Sequence, residues 1–287
     1  MAALRSLRPA VSGIVRNPVL ILVTALYGLF QLPNLLVEST DPVLAAVISL
    51  VTFVALIVVL PLFQGGLLGM ADEAIDGTTG VGTLIADGTA NYVSLLVSYL
   101  ALLAVNMVLG FLAFMSAIIV FIGGSIAGMG GSGAAPGFDA PTLGVDPALL
   151  GVVGVVAAAL VVGYLLIVFF VQFYAHAIVI DGTELVDGFR RSVGVVRSNL
   201  LGVVGYTALL TVGAVVVGTL AAAGSLLFGP QQPAGSPVAD VISVEPTPAV
   251  VAALALGYVI LTGVAGAFYA TYSVAFYRSI RPDSATA

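Results

Sequence analysis

Six stretches of the chain are long, apolar and free of charge, and nothing else in the sequence limits the fold so severely: 18–37, 43–70, 92–123, 148–180, 200–228 and 248–277. About 20 apolar residues, rising about 1.5 Å each, cross the roughly 30 Å hydrocarbon core of a bilayer. Lipid offers backbone amides no partner, so each stretch is expected to be a helix that closes its own hydrogen bonds. Composition removes the soluble alternative: of 287 residues 60% are hydrophobic and 8% charged, where a soluble domain carries about 25% charge. The expected fold class is all-α, a polytopic transmembrane helix bundle of six spans forming a single membrane domain over 1–287, multi-pass in the cell membrane. Several runs exceed the minimum, so tilting or breaks are expected, with Pro33 and Pro61 as candidate kinks.

Orientation follows from arginine, because basic residues beside spans stay on the cytoplasmic side. Arg5, Arg8 and Arg16 precede the first span, Arg190, Arg191 and Arg197 lie between the fourth and fifth, and Arg278 and Arg281 follow the sixth. Six spans with both termini inside put all eight on one face. The first span then reads as a retained signal anchor, since its exit at Val37-Glu38-Ser39-Thr40 has no small-x-small cleavage site. The remaining connections, 124–147 and 229–247, are rich in Gly, Pro, Ser and Ala and read as flexible extracellular loops. The letters G-x-G-x-x-G occur at 128–133, but a dinucleotide fingerprint needs a strand before it and a helix after it.

Empty residue classes exclude whole chemistries. There is no Cys, no Trp and no Lys, and His176 is the single histidine. Disulfides, thiolate metal sites and cysteine nucleophiles are ruled out, as are lysine Schiff bases and a P-loop lysine. No cofactor is expected. A net charge of −6 argues against nucleic acid as a partner. Acidic loops, with arginine in every basic position, resemble proteins of salt-loving archaea. The expected partner is the lipid bilayer, with a homo-oligomer or other membrane proteins as candidates.

The two cytoplasmic linkers, 71–91 and 181–199, look alike. Ile75-Asp76-Gly77-Thr78 recurs as Ile180-Asp181-Gly182-Thr183, and in each an apolar helix should end at Asp-Gly, the glycine taking the left-handed cap conformation. A short helix should follow. Val81, Leu84, Ile85, Gly88 and Tyr92 mark one face of the first, and Leu185, Phe189, Val193 and Val196 one face of the second, as in helices lying at the interface. Arg190 and Arg197 would flank the second apolar face and Arg191 would point away from it, a distribution suited to lipid headgroups. The units share one orientation, so this internal repeat is parallel rather than inverted.

Two acidic clusters are the candidate metal ligands, Asp72, Glu73 and Asp76 in one linker and Asp181, Glu184 and Asp187 in the other. Paired carboxylates suit Mg²⁺ and a substrate phosphate. The flanking residues depart from known Asp-rich lipid-enzyme motifs, and acids beside helix starts also serve the helix dipole. For transport the test is ionisable residues within spans, and no span core has one. Gln31, Asn34, Gln64, Asn106, Gln172 and His176 are the polar exceptions, Asn106 suited to a helix-to-helix hydrogen bond and His176 to an amphipathic interfacial position. Small faces at Gly65 and Gly69, at Gly213, Gly218 and Ala222, and at 263–266 suit close helix packing.

The span ending Phe63-Gln64-Gly65-Gly66-Leu67-Leu68-Gly69-Met70, its Asp-Gly linker, and Asp187-Gly188-Phe189-Arg190-Arg191-Ser192 with Val196-Arg197-Ser198-Asn199 before the fifth span carry a resemblance. The pattern resembles uncharacterised six-span membrane proteins of haloarchaea, themselves similar to the membrane domain attached to some glycerophosphodiester phosphodiesterases. The resemblance implies a membrane-embedded helical domain. The soluble phosphodiesterase barrel is absent, so no catalytic residue carries over. The expected function is a non-enzymatic structural, scaffolding or accessory membrane component. The alternatives are a transporter or permease-like subunit for a small solute or lipid, and a Mg²⁺-dependent lipid-modifying enzyme.

Overall fold

A computed structural model describes residues 2–37, 42–129, 147–228 and 247–282, with side chains described for 2–32, 42–116, 118, 151–219 and 247–282. Every regular element among the described residues is a helix. In chain order these are α1 (Ala2–Arg5), α2 (Leu7–Arg16), α3 (Val19–Val37), α4 (Pro42–Asp76), α5 (Val81–Ala90), α6 (Tyr92–Met129), α7 (Pro147–Val171), α8 (Tyr174–Ile180), α9 (Leu185–Ser198), α10 (Leu200–Phe228) and α11 (Pro248–Ile280). Five are long and apolar enough to cross a membrane, or six if α3 and the amphipathic helix before it count as one bent span. The connections expected to be flexible lie largely outside the described residues, although α6 continues through 124–129.

The chain forms two units, one of 1–96 with 173–287 and one of 97–172. The second contains α6 from Val97 onward and α7. There the side-chain amide of Gln172 donates to the Phe169 carbonyl at 2.8 Å, closing the end of α7.

Span four was expected to be continuous from 148 to 180. The run Gly151–Ile180 does count as one span; its helical pattern is interrupted only at Gln172 and Phe173, where the N–H of Phe173 bonds to the Ser192 hydroxyl at 3.1 Å. In the first unit Phe173 and, on α8, Ala177 and Ile178 are buried.

Packing in the first unit depends on missing side chains, as it must where lipid supplies no hydrophobic drive between helices. Along α4 the Gly65–Gly69 step faces α5. A Cβ on Gly66 would run into the backbone carbonyl of Leu84, and one on Gly88 would stand 2.6 Å from the Leu62 carbonyl. Two backbones thus touch, and Asp87 is brought against Gly69. The α3–α11 pair works similarly. Gly28 meets Thr262, Gly263 meets the Ile21 carbonyl at 2.8 Å from a would-be Cβ, and the Thr24 hydroxyl donates to the Gly263 carbonyl at 2.5 Å. Gly213 and Gly218, expected to supply a comparable face, meet nothing within 4 Å among the described residues.

The element absent from the sequence reading is the N-terminal helix. It turns through 86° into α3 at Asn17-Pro18, so it runs across the direction of that helix. Like α2, both α5 and α9 end at an asparagine, and Asn17, Asn91 and Asn199 each donate a side-chain N–H to the carbonyl four residues back, at 2.9, 3.0 and 3.2 Å.

Gly66→Ala should force α4 and α5 apart and cost about 1–3 kcal/mol, as overpacking of a close contact does. Gly213→Ala should leave stability unchanged. Thermal unfolding in detergent, followed by circular dichroism, separates the two.

Candidate functional site

The functional groups of the first unit gather at the end that carries the arginines. Helix α8 stops at Asp181 because Gly182 takes φ 63°, a value open to glycine without strain, and Thr183 N–H returns to the Ala177 carbonyl at 3.3 Å. The other Asp-Gly differs from expectation: Gly182 is the only described glycine with positive φ. Gly77 avoids that conformation because Asn17 caps the turn, its Nδ2 donating to the Gly77 carbonyl at 3.0 Å and its Oδ1 accepting from Thr79 N–H at 2.9 Å. Arg16 Nη2 adds a bond to the Ile75 carbonyl at 2.9 Å. Asn199 treats α11 likewise, reaching the Ile280 carbonyl at 3.2 Å.

Asp181 is the hub, its side chain only 8% exposed. Arg191 Nε, on α9, meets Oδ2 at 2.5 Å, and Arg281 Nη1, just past α11, meets Oδ1 at 3.2 Å. The Tyr277 hydroxyl also donates to Oδ2. Arg191 was expected to point away from the packed face. Instead it lies at the edge of that face and reaches back to the end of the preceding helix. Burial works against its charge, but a hydrogen bond to Tyr277 and the Asp181 carboxylate outweigh that and push its pKa upward.

A second arginine serves two more acids: Arg278 Nη2 contacts Asp76 Oδ2 at 2.7 Å and its Nε lies 3.6 Å from Asp72 Oδ1. Asp72, Asp76 and Asp181 thus stand against Arg191, Arg278 and Arg281, three charges of each sign. Under this network lie stacked rings, Tyr206 on Phe276 at 4.4 Å and Tyr272 at 5.3 Å, with Phe173 5.8 Å from Tyr277.

The other candidate ligands go elsewhere. Glu73 accepts from the Thr79 and Thr83 hydroxyls at 2.8 and 2.6 Å. Glu184 is exposed at the N-cap of α9, and Asp187 pairs with Arg190 at 3.5 Å in the open. Arg197 is exposed in the last turn of α9. Among the described residues no group of three or more His, Asp or Glu is arranged to hold a metal ion. The geometry instead brings Asp72 and Glu73 to a cavity of about 540 Å³ together with Thr83 and Asp87. Sequence reasoning passed over Asp87; burial, then the charge of Glu73, raises its pKa.

His176 departs from the interfacial position expected of it. It is 4% exposed, its ring 5.4 Å from both Phe173 and Tyr277, and neither nitrogen has a hydrogen-bond partner among the described residues. It shares its burial with Tyr174, Ala175, Ala177 and Ile178 on α8. Tyr277, Arg278, Arg281, Asn17 and Asn199 were also missed; the available signal was an asparagine directly before a span and the Arg-x-x-Arg closing the last one.

The long apolar helices, with every described charge at or beyond their ends, define a multi-pass membrane protein. The chain belongs to the family described as Domain of unknown function (DUF7847), which matches residues 1–280. No curated protein and no solved structure matches it.

Asp181→Asn should cost on the order of 3 kcal/mol, because it leaves two partly buried guanidinium groups without their carboxylate. Asp187→Asn, which breaks only an exposed pair, should cost less than about 0.5 kcal/mol. Denaturant titration in mixed micelles reads both.

Proposed function

We propose that this chain is a structural, scaffolding or accessory component of the cell membrane, with six spans, both termini on the cytoplasmic side and no catalytic centre. One observation carries the reading: the acids that would hold Mg²⁺ are used as counterions. Asp72 and Asp76 face Arg278, and Asp181 faces Arg191 and Arg281. A metal at either cluster would have to displace a guanidinium already in place. The ion pairs join α4, the end of α8, α9 and the end of α11, which suits a bundle held in one arrangement.

Six spans are supported by α3, whose 19 residues would cover about 28 Å at about 1.5 Å each. The arginine distribution supports the orientation. The three asparagine-ended helices support an internal repeat in which a short helix leads into a pair of spans. Acidic linkers without lysine support a salt-loving archaeal source. Arg190 and Arg197, exposed on one side of α9, suit lipid headgroups, whereas Arg191 belongs to the Asp181 pair.

Two measurements test the reading. Isothermal titration of the purified protein with Mg²⁺ should give no saturable heat, and the triple substitution Asp72→Asn, Glu73→Gln, Asp76→Asn should leave the trace unchanged. Saturable binding abolished by that substitution would restore the enzyme. For topology, the absence of native cysteine lets Ser132→Cys, outside the described residues, be labelled with impermeant maleimide. Reaction in intact cells is expected, and Ser198→Cys should react only after lysis.

A further inference from the structure

The N-terminal helix has three distinct faces. The path is continuous through Ser6, since Ser6 N–H bonds to the Ala2 carbonyl and Ala10 N–H to the Ser6 carbonyl. Ala3, Ser6, Ala10, Gly13 and Asn17 are buried, and their spacing of three and four residues makes one stripe. That stripe is fixed to the bundle: a Cβ on Gly13 would lie 3.2 Å from the Ala74 carbonyl, the Tyr272 hydroxyl donates to the Ala3 carbonyl at 3.1 Å, and Ser6 meets Ser279 at 3.4 Å. Leu4, Val11 and Val15 form a second stripe, 59%, 48% and 76% exposed. Arg5, Arg8, Ser12 and Arg16 form a third, all exposed. At about 100° per residue the aliphatic and arginine stripes point about 85° apart, and each points roughly 135–140° from the buried stripe.

Direction and charge say what covers the open faces. If α3 crosses the bilayer, a helix bent 86° from it lies close to the membrane plane, at the level where the span begins. With one face on the bundle, an aliphatic face and an arginine face remain for acyl chains and headgroups. Arg16 is partly engaged with the end of α4, which leaves Arg5 and Arg8 on the outward side. In a chain of net charge −6 the first acid is Glu38, so residues 1–37 carry three arginines and no carboxylate.

We propose that α1–α2 is a membrane-surface helix that binds anionic phospholipid, Arg5 and Arg8 pairing with headgroup phosphates while Leu4, Val11 and Val15 enter the acyl boundary. The proposal requires only that α3 crosses the bilayer, and stands whether or not the protein is a scaffold. Buried Asn17 sets the depth by anchoring the last turn to Gly77 and Thr79 of the α4–α5 connection.

The full chain is reconstituted in nanodiscs of phosphatidylcholine and in nanodiscs in which phosphatidylglycerol replaces part of it, and lipid retention is read by native mass spectrometry after release into detergent. Wild type should retain phosphatidylglycerol preferentially. The double variant Arg5→Gln, Arg8→Gln should lose that preference by roughly fivefold per arginine, and Arg5→Lys, Arg8→Lys should restore it. Spin labels on Val15→Cys and Ser12→Cys give an independent reading, the first relaxed by oxygen and the second by a water-soluble nickel chelate. Equal retention by wild type and the Gln variant, or equal chelate accessibility at both labels, would overturn the proposal.

Discussion

A helix that leaves lipid exposes its last carbonyls just where water becomes available only on one side, and those carbonyls need partners that do not themselves have to be dragged into the membrane. Here the partners come from the start of other spans. Asn17 and Arg16, placed immediately before α3, satisfy the end of α4, and Asn199, immediately before α10, reaches the end of α11. The same asparagines turn the chain from an amphipathic helix into a span. Helix termination and helix entry are therefore one contact, and the bundle's registry at this end follows from it.

Once the ends are fixed, the charges beside them are close enough to pair. Asp181 sits at the end of α8 by virtue of the Gly182 turn, within reach of α9 and of the closing turn of α11, so its carboxylate collects two guanidinium groups and a phenol. A carboxylate so enclosed would be costly alone, and its removal would strand cations rather than free them. In sequence the acids of each cluster lie close together, while the fold pairs Asp181 with Arg191 and Arg281, Asp187 with Arg190, and Asp72 and Asp76 with Arg278.

Legibility in the sequence tracks the kind of force involved. The spans are readable because burial in lipid demands long apolar runs, and α5 and α9 because their apolar positions recur at helical spacing. The N-terminal helix α1–α2 escapes the same reading since the stripe buried along it and at its cap is Ala3, Ser6, Ala10, Gly13 and Asn17, chosen for smallness and hydrogen bonding rather than hydrophobicity. Close backbone approach leaves no apolar signature. Arg191 shows a second blind spot: periodicity places a residue on a helix but does not reveal that a carboxylate from the previous helix waits at that height. Tyr277 and Arg281 lie about a hundred residues further along, where no local pattern connects them to Asp181.

The three short helices share a design and differ in charge, and that difference is informative. Helix α5 has no cation and Asp87 turned toward Gly69, and it is pressed against α4 so closely that the Gly66 and Gly88 positions admit no side chain. Helix α2 keeps Arg8, and helix α9 keeps Arg190 and Arg197, on open flanks beside exposed aliphatic residues. A helix whose outward side is uncharged gains its stability from backbone contact with its neighbour. Helices with outward guanidinium groups can draw on the membrane surface as well, because each long side chain reaches headgroup phosphate while its stem stays on apolar ground. On the proposed reading, the division places packing specificity in the glycine-lined pair and leaves the arginine-bearing pair to set how the bundle sits against lipid.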